Sequence, residues 1–183
     1  MPKYVVLLRA VNVGGYGKLA MADFRRILAD LGYRNVQTYI QSGNAVFDAP
    51  DQPPKVTKAV ASALEKFTRA PASVLIRTHE ELTRVINANP FAAEAAADGA
   101  RVHVAFLSGS PPASAAAGLE RIVTQYPERR DRYHLSGDTL YLHLPDGAAE
   151  TRFTPDRVHR ALGFNGTARN WNTVLKLHAM SAP

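Results

Sequence analysis

The chain has 183 residues, enough for one ordinary domain or two small ones with a real hydrophobic core. Hydrophobic residues at 46% and charged residues at 21% exclude a disordered chain, and the absence of cysteine excludes disulfides, thiol chemistry and thiolate metal sites. The formal net charge of +6 directs attention to anionic partners, but the 22 basic residues are 16 Arg and 6 Lys in an alanine-rich chain, a pattern that GC-rich coding also produces, and no polybasic arm stands out.

The opening "MPKYVVLLRAVNV" resembles a signal peptide only superficially. Its apolar run is interrupted by Arg9 and lacks a small-residue cleavage site, so Tyr4–Val11 reads as a buried strand. Met21, Phe24, Ile27, Leu28 and Leu31 recur at helical spacing, with Gly32 as a left-handed stop. "VQTYIQ" and "AVFDA" are strand-like runs joined by Ser42, Gly43 and Asn44, a tight hairpin signal. Pro53 and Pro54 open a second helix with Val56, Val60, Leu64 and Phe67 inward, and "SVLIRT" follows as a strand. The order β-α-β-β-α-β is that of a ferredoxin-like unit.

Thr78 with Glu81 forms a capping box at the start of a short connecting helix, near 79–88. "NANPFAAEAAADGA" then loses periodicity, and residues 88–100 read as a linker. The second half repeats the theme less completely. "RVHVAFLSG" is a strand; Leu119, Ile122, Val123 and Tyr126 mark a helix; "RYHLSGDTLYLHLP" is a hairpin turning near Gly137-Asp138. Just before that hairpin, "ERRDR" at 128–132 carries both signs and reads as a solvated loop. Thr154-Pro155 caps a helix that Gly163 ends, and "TARNW" supplies a last strand before a final helix, which Asn172 or Thr173 would cap. The expected fold is therefore α+β: two ferredoxin-like (βαββαβ-type) subdomains packed together, the second less regular. They cover residues 1–87 and 101–183, the latter including the C-terminal helix. The halves share element order, with no repeat visible in their residues.

Three motifs carry candidate chemistry. "LRAVNVGGYGKLAM" runs from strand through a glycine-rich loop into a helix and could aim backbone N–H groups at an anion, although its spacing satisfies neither GxGxxG nor GxxxxGK[ST]. "TYIQSGNAVF" is a hairpin turn. In a βαββαβ unit the first two strands run parallel, so this turn and the first loop leave the same end of the sheet. "GTARNWNTVLKL" joins Arg169, Asn170, Trp171 and Asn172 to a helix amino terminus and Lys176. It is either an anion seat with a stacking tryptophan or a core anchor, turn formers and a surface charge. None of the three contains Asp, Glu, Cys or His, and the six histidines show no metal-ligand spacing, so no metal site and no cofactor is expected.

The strings "LLRAVNVGG", "MADFRRILADLGYRNVQTYIQSGNAVF", "NPF" and "TARNWNTVLKL" resemble the bacterial family known as domain of unknown function 1697, essentially from end to end, with Ala10 where glycine is usual. The resemblance implies the same pair of ferredoxin-like subdomains. That family has no established activity, so the resemblance implies no catalytic residue; its shared polar positions fall on these three motifs.

The expectation is a cytoplasmic binding protein without a membrane span, whose partner is a phosphate-bearing small ligand, a nucleotide or a short nucleic acid. Arg9, Asn12, Gly14, Gly15, Lys18, Gln41, Ser42, Asn44, Arg169, Asn170, Trp171, Asn172 and Lys176 would converge on it. The alternative is a non-catalytic interaction or self-association module. A transferase or hydrolase using Asp23 or Asp48 ranks last, because the sequence gives those carboxylates no partner.

Overall fold

The unbroken apolar run at the start of the chain becomes β1 (Lys3–Leu8), and Val5, Val6, Leu7 and Leu8 are essentially without solvent contact. A strand apolar on both faces belongs in the middle of a sheet, and β1 lies there in this computed structural model, which describes residues 1–9 and 18–183. The chain continues with α1 (Met21–Asp30), β2 (Arg34–Tyr39), β3 (Asn44–Asp48), α2 (Pro53–Thr68) and β4 (Val74–Thr78). The strands form an antiparallel sheet in the order β2-β3-β1-β4, the ferredoxin-like arrangement. Tyr4, Val6 and Leu8 face α1 and α2 with Phe24, Leu28, Val56, Val60 and Leu64, while Val5 and Leu7 are buried on the opposite face.

Several local signals take the form expected of them. Gly32 adopts φ +82° and donates to Ala29 O while Tyr33 N–H donates to Leu28 O, which satisfies the last carbonyls of α1 in a Schellman motif. Phe67 departs from expectation and is exposed: it sits in the last turn of α2, where the chain leaves at left-handed Arg69 toward β4.

Beyond β4 follow α3 (His79–Asn87), α4 (Ala92–Ala97), β5 (Val102–Leu107), α5 (Ala116–Gln125), β6 (Arg132–Ser136), β7 (Thr139–His143), α6 (Pro155–Leu162), β8 (Gly166–Asn170) and α7 (Trp171–Met180). The second sheet has the order β6-β7-β5-β8, element for element the same topology as the first. Its helix-side core gathers Ala105, Leu107, Leu119, Ile122, Leu140, Leu142, Val158 and Leu162. The stretch 88–100 carries α4. The chain divides into two compact units: unit 1 is Met1–Arg84 with Lys176–Pro183, and unit 2 is Val85–Leu175. The divisions fall within α3 and α7. Among the described residues no helix is long and apolar enough to cross a membrane.

The two strand-to-helix junctions are built alike. Thr78 Oγ1 accepts from Glu81 N–H while Glu81 returns a carboxylate oxygen to Thr78 N–H at 2.8 Å, the capping box at the start of α3. At α7 it is Asn170, not Asn172 or Thr173, whose Oδ1 accepts from Thr173 N–H at 2.9 Å. The helix begins at Trp171, two residues earlier than the sequence pattern indicates, so the cap moves upstream with it.

Within unit 1 the rings of His79 and His178 stack with centroids 4.1 Å apart. His178 Nε2 lies 2.8 Å from Thr83 Oγ1. Burial first, and the neighbouring His79 second, hold the His178 pKa below the usual histidine value; burial does the same to His103 and His143 in unit 2. Unfolded rings take up protons at a higher pH than these folded ones, so the unfolded state binds more protons as pH falls below about 6.5. Stability should therefore be full above that pH and decline below it. Urea unfolding at pH 7.5, 6.5 and 5.5 reads the slope, and His178→Leu should flatten it. A slope unchanged in the variant would show that the stacked pair is not a source of the dependence.

Candidate functional site

At the end of β1 three segments meet. Leu8 N–H donates to Gly43 O at 2.8 Å, and Arg9 N–H donates to Ser73 O at 3.1 Å. The backbone at Arg9 is thus held between the β2–β3 turn and the residue that precedes β4. The expected nearness of the first loop and the hairpin turn holds on the described side of that loop, through Leu8 and Arg9. Asn12, Gly14 and Gly15 lie outside the described residues.

The turn is longer than the sequence pattern suggests. Ile40 and Gln41 belong to it rather than to β2, and Asn44 is the first residue of β3. Asn44 is fully buried, and its Nδ2 donates to Tyr39 O at 3.1 Å and to Ser42 Oγ at 2.9 Å. Its amide therefore closes the turn from inside, which makes it a strut. Gly43 has φ +77°, and a Cβ placed on it would stand 2.7 Å from Leu8 Cβ, so both conformation and space require glycine here.

Ile40 is the unexpected member. It has φ +49°, and the residue is 49% exposed. A β-branched residue in the left-handed region is strained, and an exposed isoleucine recovers none of that cost by burial. No signal in "TYIQSG" marks it, because the alternation of the strand runs through it unbroken. Gln41 and Lys18 are exposed, and Ser42 is half-buried.

The third motif is committed largely to the fold. Arg169 is buried, with Nη1 donating to Ala168 O at 2.8 Å, and burial lowers its pKa to about 10, so it still carries its charge at neutral pH. Trp171 is buried and its backbone N–H donates to Gly99 O, which makes the core-anchor reading the better one and leaves no exposed ring for stacking. Asn172 is exposed but rests its Oδ1 so close to Gly99 that a Cβ there would lie 2.3 Å away. Arg169, Asn170, Trp171 and Asn172 belong to unit 2; exposed Lys176 falls in unit 1 with Arg9, Lys18, Gln41, Ser42 and Asn44.

The structure adds a duplication that the residue strings conceal. Val5 and Val104 hold the same place in their central strands, and they pair with Arg77 and Arg169, which hold the same place in their edge strands. Arg77 is buried like Arg169, and its Nη1 likewise donates to the preceding carbonyl, Ile76 O. In both units a buried arginine is followed at once by the helix cap, Thr78 or Asn170. The signal was present as "IRTHEEL" and "ARNWNTVL", but only the sheet register aligns them.

Other candidates are neutralised or otherwise engaged. Arg129, Arg130 and Arg132 of the basic run pair with Glu150, Asp146 and Glu94. Asp23 pairs with Arg26 on the surface of α1, and Asp48 accepts from Asn35 at 2.6 Å. Among the described residues no group of three or more His, Asp or Glu is placed to hold a metal ion.

Comparison with known proteins agrees with this architecture. The conserved bacterial protein SP0830 from Streptococcus pneumoniae is similar in structure, with a TM-score of 0.70 at 21% identity over 99% of both chains, a likeness of fold. An unknown protein from Galdieria sulphuraria aligns over 98% of this chain and 91% of its own at 12% identity, with a TM-score of 0.23 too low to carry an argument. No curated protein matches. The family described as "Protein of unknown function (DUF1697)" matches residues 1–141, most of the chain. With its two sheets of ferredoxin-like order and this match, the chain belongs to the DUF1697 family.

Proposed function

We propose that the protein binds a nucleotide or related phosphate-bearing small ligand in the cytoplasm, at the end of the unit 1 sheet where β1 meets the β2–β3 turn. Arg9 and Lys18 supply positive charge, Gln41 and Ser42 supply hydrogen-bonding groups, and the Ile40 side chain offers an apolar platform for a base. Asn12, Gly14 and Gly15 stay in this reading on sequence grounds alone. Asn44, Arg169, Asn170 and Trp171 leave it, because they hold the chain itself. The net charge of +6 favours an anionic ligand, and a fold without cysteine has no need of an oxidising compartment.

The observation that carries the reading is Ile40: a strained backbone and a solvated apolar side chain, on a turn stapled beside Arg9. Strain of this kind persists where the surrounding structure enforces it, and it concentrates at ligand-contacting positions. The test is isothermal titration with ATP, GMP, inorganic phosphate and a ten-residue oligothymidine, at two salt concentrations. Arg9→Ala should weaken nucleotide binding at least tenfold. Ile40→Gly should weaken nucleotides but not phosphate, while raising stability by about 1 kcal/mol through relief of the left-handed strain. No binding at millimolar ligand sinks the proposal, as does an Ile40→Gly protein that is less stable and binds normally. Preference for the oligonucleotide with a steep salt dependence moves the function to nucleic acid. The interaction-module reading uses the same exposed Ile40 as a protein contact, and it requires dimers in light scattering that Ile40→Gly dissolves.

A further inference from the structure

The two units share topology and register but not packing. On the helix side of unit 1, Tyr4 and Val6 of β1, Phe47 of β3, and Val74 and Ile76 of β4 fill the space beneath α2 as solid core. The register places His103 and Ala105, Leu142, and Gly166 and Ala168 at the matching positions of unit 2. Each of these is smaller than its counterpart. Leu140 and Leu144, larger than Ala45 and Ala49, offset only part of the difference. The covering helix is also shorter: α6 has 8 residues where α2 has 16, and residues 144–154 close the remaining side. The result is a partly open cavity of about 240 Å³, with Val158 and Phe153 on its helix side.

One polar side chain that lines this cavity, His103, is unspent. Nδ1 of His103 is shielded from solvent and has no hydrogen-bond partner among the described residues. The matching Tyr4 in unit 1 donates its hydroxyl to Asp51 O. The two threonines at the cavity are engaged elsewhere: Thr151 donates to Asp131, and Thr154 caps α6.

We infer that the hollow in unit 2 is a binding site for a compact, neutral, mostly apolar aromatic molecule that carries one hydrogen-bonding group, a phenol or an indole, which bonds to the His103 imidazole. A cavity of about 150 Å³ suffices for benzene, so this one has room for a substituted or bicyclic ring. Charged ligands are excluded by the apolar walls, which offer a carboxylate no fixed cation. The site is separate from the turn at Ile40, and neither reading depends on the other.

The test uses the full chain with four probes: indole, 4-ethylphenol, ethylbenzene, which lacks the polar group, and benzoate, which is charged. Titration followed by nuclear magnetic resonance should give submillimolar binding of indole and 4-ethylphenol. Ethylbenzene should bind at least fivefold more weakly than 4-ethylphenol, and benzoate should not bind. His103→Phe should erase the preference for 4-ethylphenol over ethylbenzene. Ala105→Val and Ala168→Ile, which give unit 2 the side chains of unit 1, should each weaken indole at least tenfold without loss of stability. Should either variant fail to fold, probe-to-protein contacts in the unaltered protein decide: contacts to Val158 and Leu142 support the site, and contacts elsewhere overturn it. The inference also falls if no probe binds at millimolar concentration, if the filled variants bind normally, or if benzoate binds as well as 4-ethylphenol.

Discussion

Gly43→Ala should lower the stability of the protein by about 3 kcal/mol, the sum of left-handed strain and overpacking against β1. The position has φ +77°, where an alanine loses about 1–2 kcal/mol, and the new methyl would meet Leu8 Cβ at 2.7 Å. Leu8 cannot swing away, because Cβ moves only with the backbone of a central strand that is bonded on both sides. The loss should appear as a fall in the midpoint of thermal unfolding of about 10 °C for a chain of this length. Gly32→Ala is the control. It has φ +82° but nothing within 4 Å of a new Cβ, so it carries the strain without the clash and should cost about 1 kcal/mol. Equal losses in the two variants would show that the turn does not press on β1. The arrangement of Arg9 beside Gln41 and Ser42 would then lose its structural basis.

Arg169→Ala and Arg77→Ala should each cost about 3 kcal/mol, whereas Arg169→Met and Arg77→Met should cost less than half as much. Both arginines are buried on the sheet face opposite the helices, next to Val104 and Val5. Their stems contribute packing that alanine removes and methionine keeps, and burying the charge already carries a penalty, visible in the Arg169 pKa brought down to about 10. Chemical unfolding in urea measures all four variants. If the alanine variants are within 0.5 kcal/mol of the unaltered protein, as surface substitutions usually are, the buried guanidinium groups are not structural. If only one of the pair is costly, the duplication is one of topology and not of function.

The features legible in the residues are those that a few neighbouring positions decide. Gly32, the Thr78–Glu81 capping box, Thr154-Pro155 and the alternation of the strands each act within four or five residues, and each took the form expected. Element order then determined the topology, since two βαββαβ runs have few right-handed, unknotted solutions. The candidate site was legible in part. "QSGN" pointed to a turn beside the end of β1, yet the same letters could not show that Asn44 braces the turn from within while Ile40 bears its strain. "RNWN" looked like an exposed polar cluster because Arg and Asn are usually solvated. Burial of Arg169 and Trp171 depends on what lies across the sheet and near Gly99, far away in the chain.

By itself, then, the sequence determined the elements of the two βαββαβ runs, though not α4, together with their order, the turn at Gly43 and the kinship with DUF1697, because backbone propensity, capping and hydrophobic period are local and additive. Tertiary structure alone decided which polar residues became scaffold, that Arg77 and Arg169 are counterparts, and that the space filled by Ile76 in unit 1 stands hollow beside Ala168 in unit 2. The physical reason is that packing compares side chains across strands and helices that have no fixed separation along the chain. A small residue becomes a cavity, and an arginine becomes a core residue, only when its distant neighbours are in place.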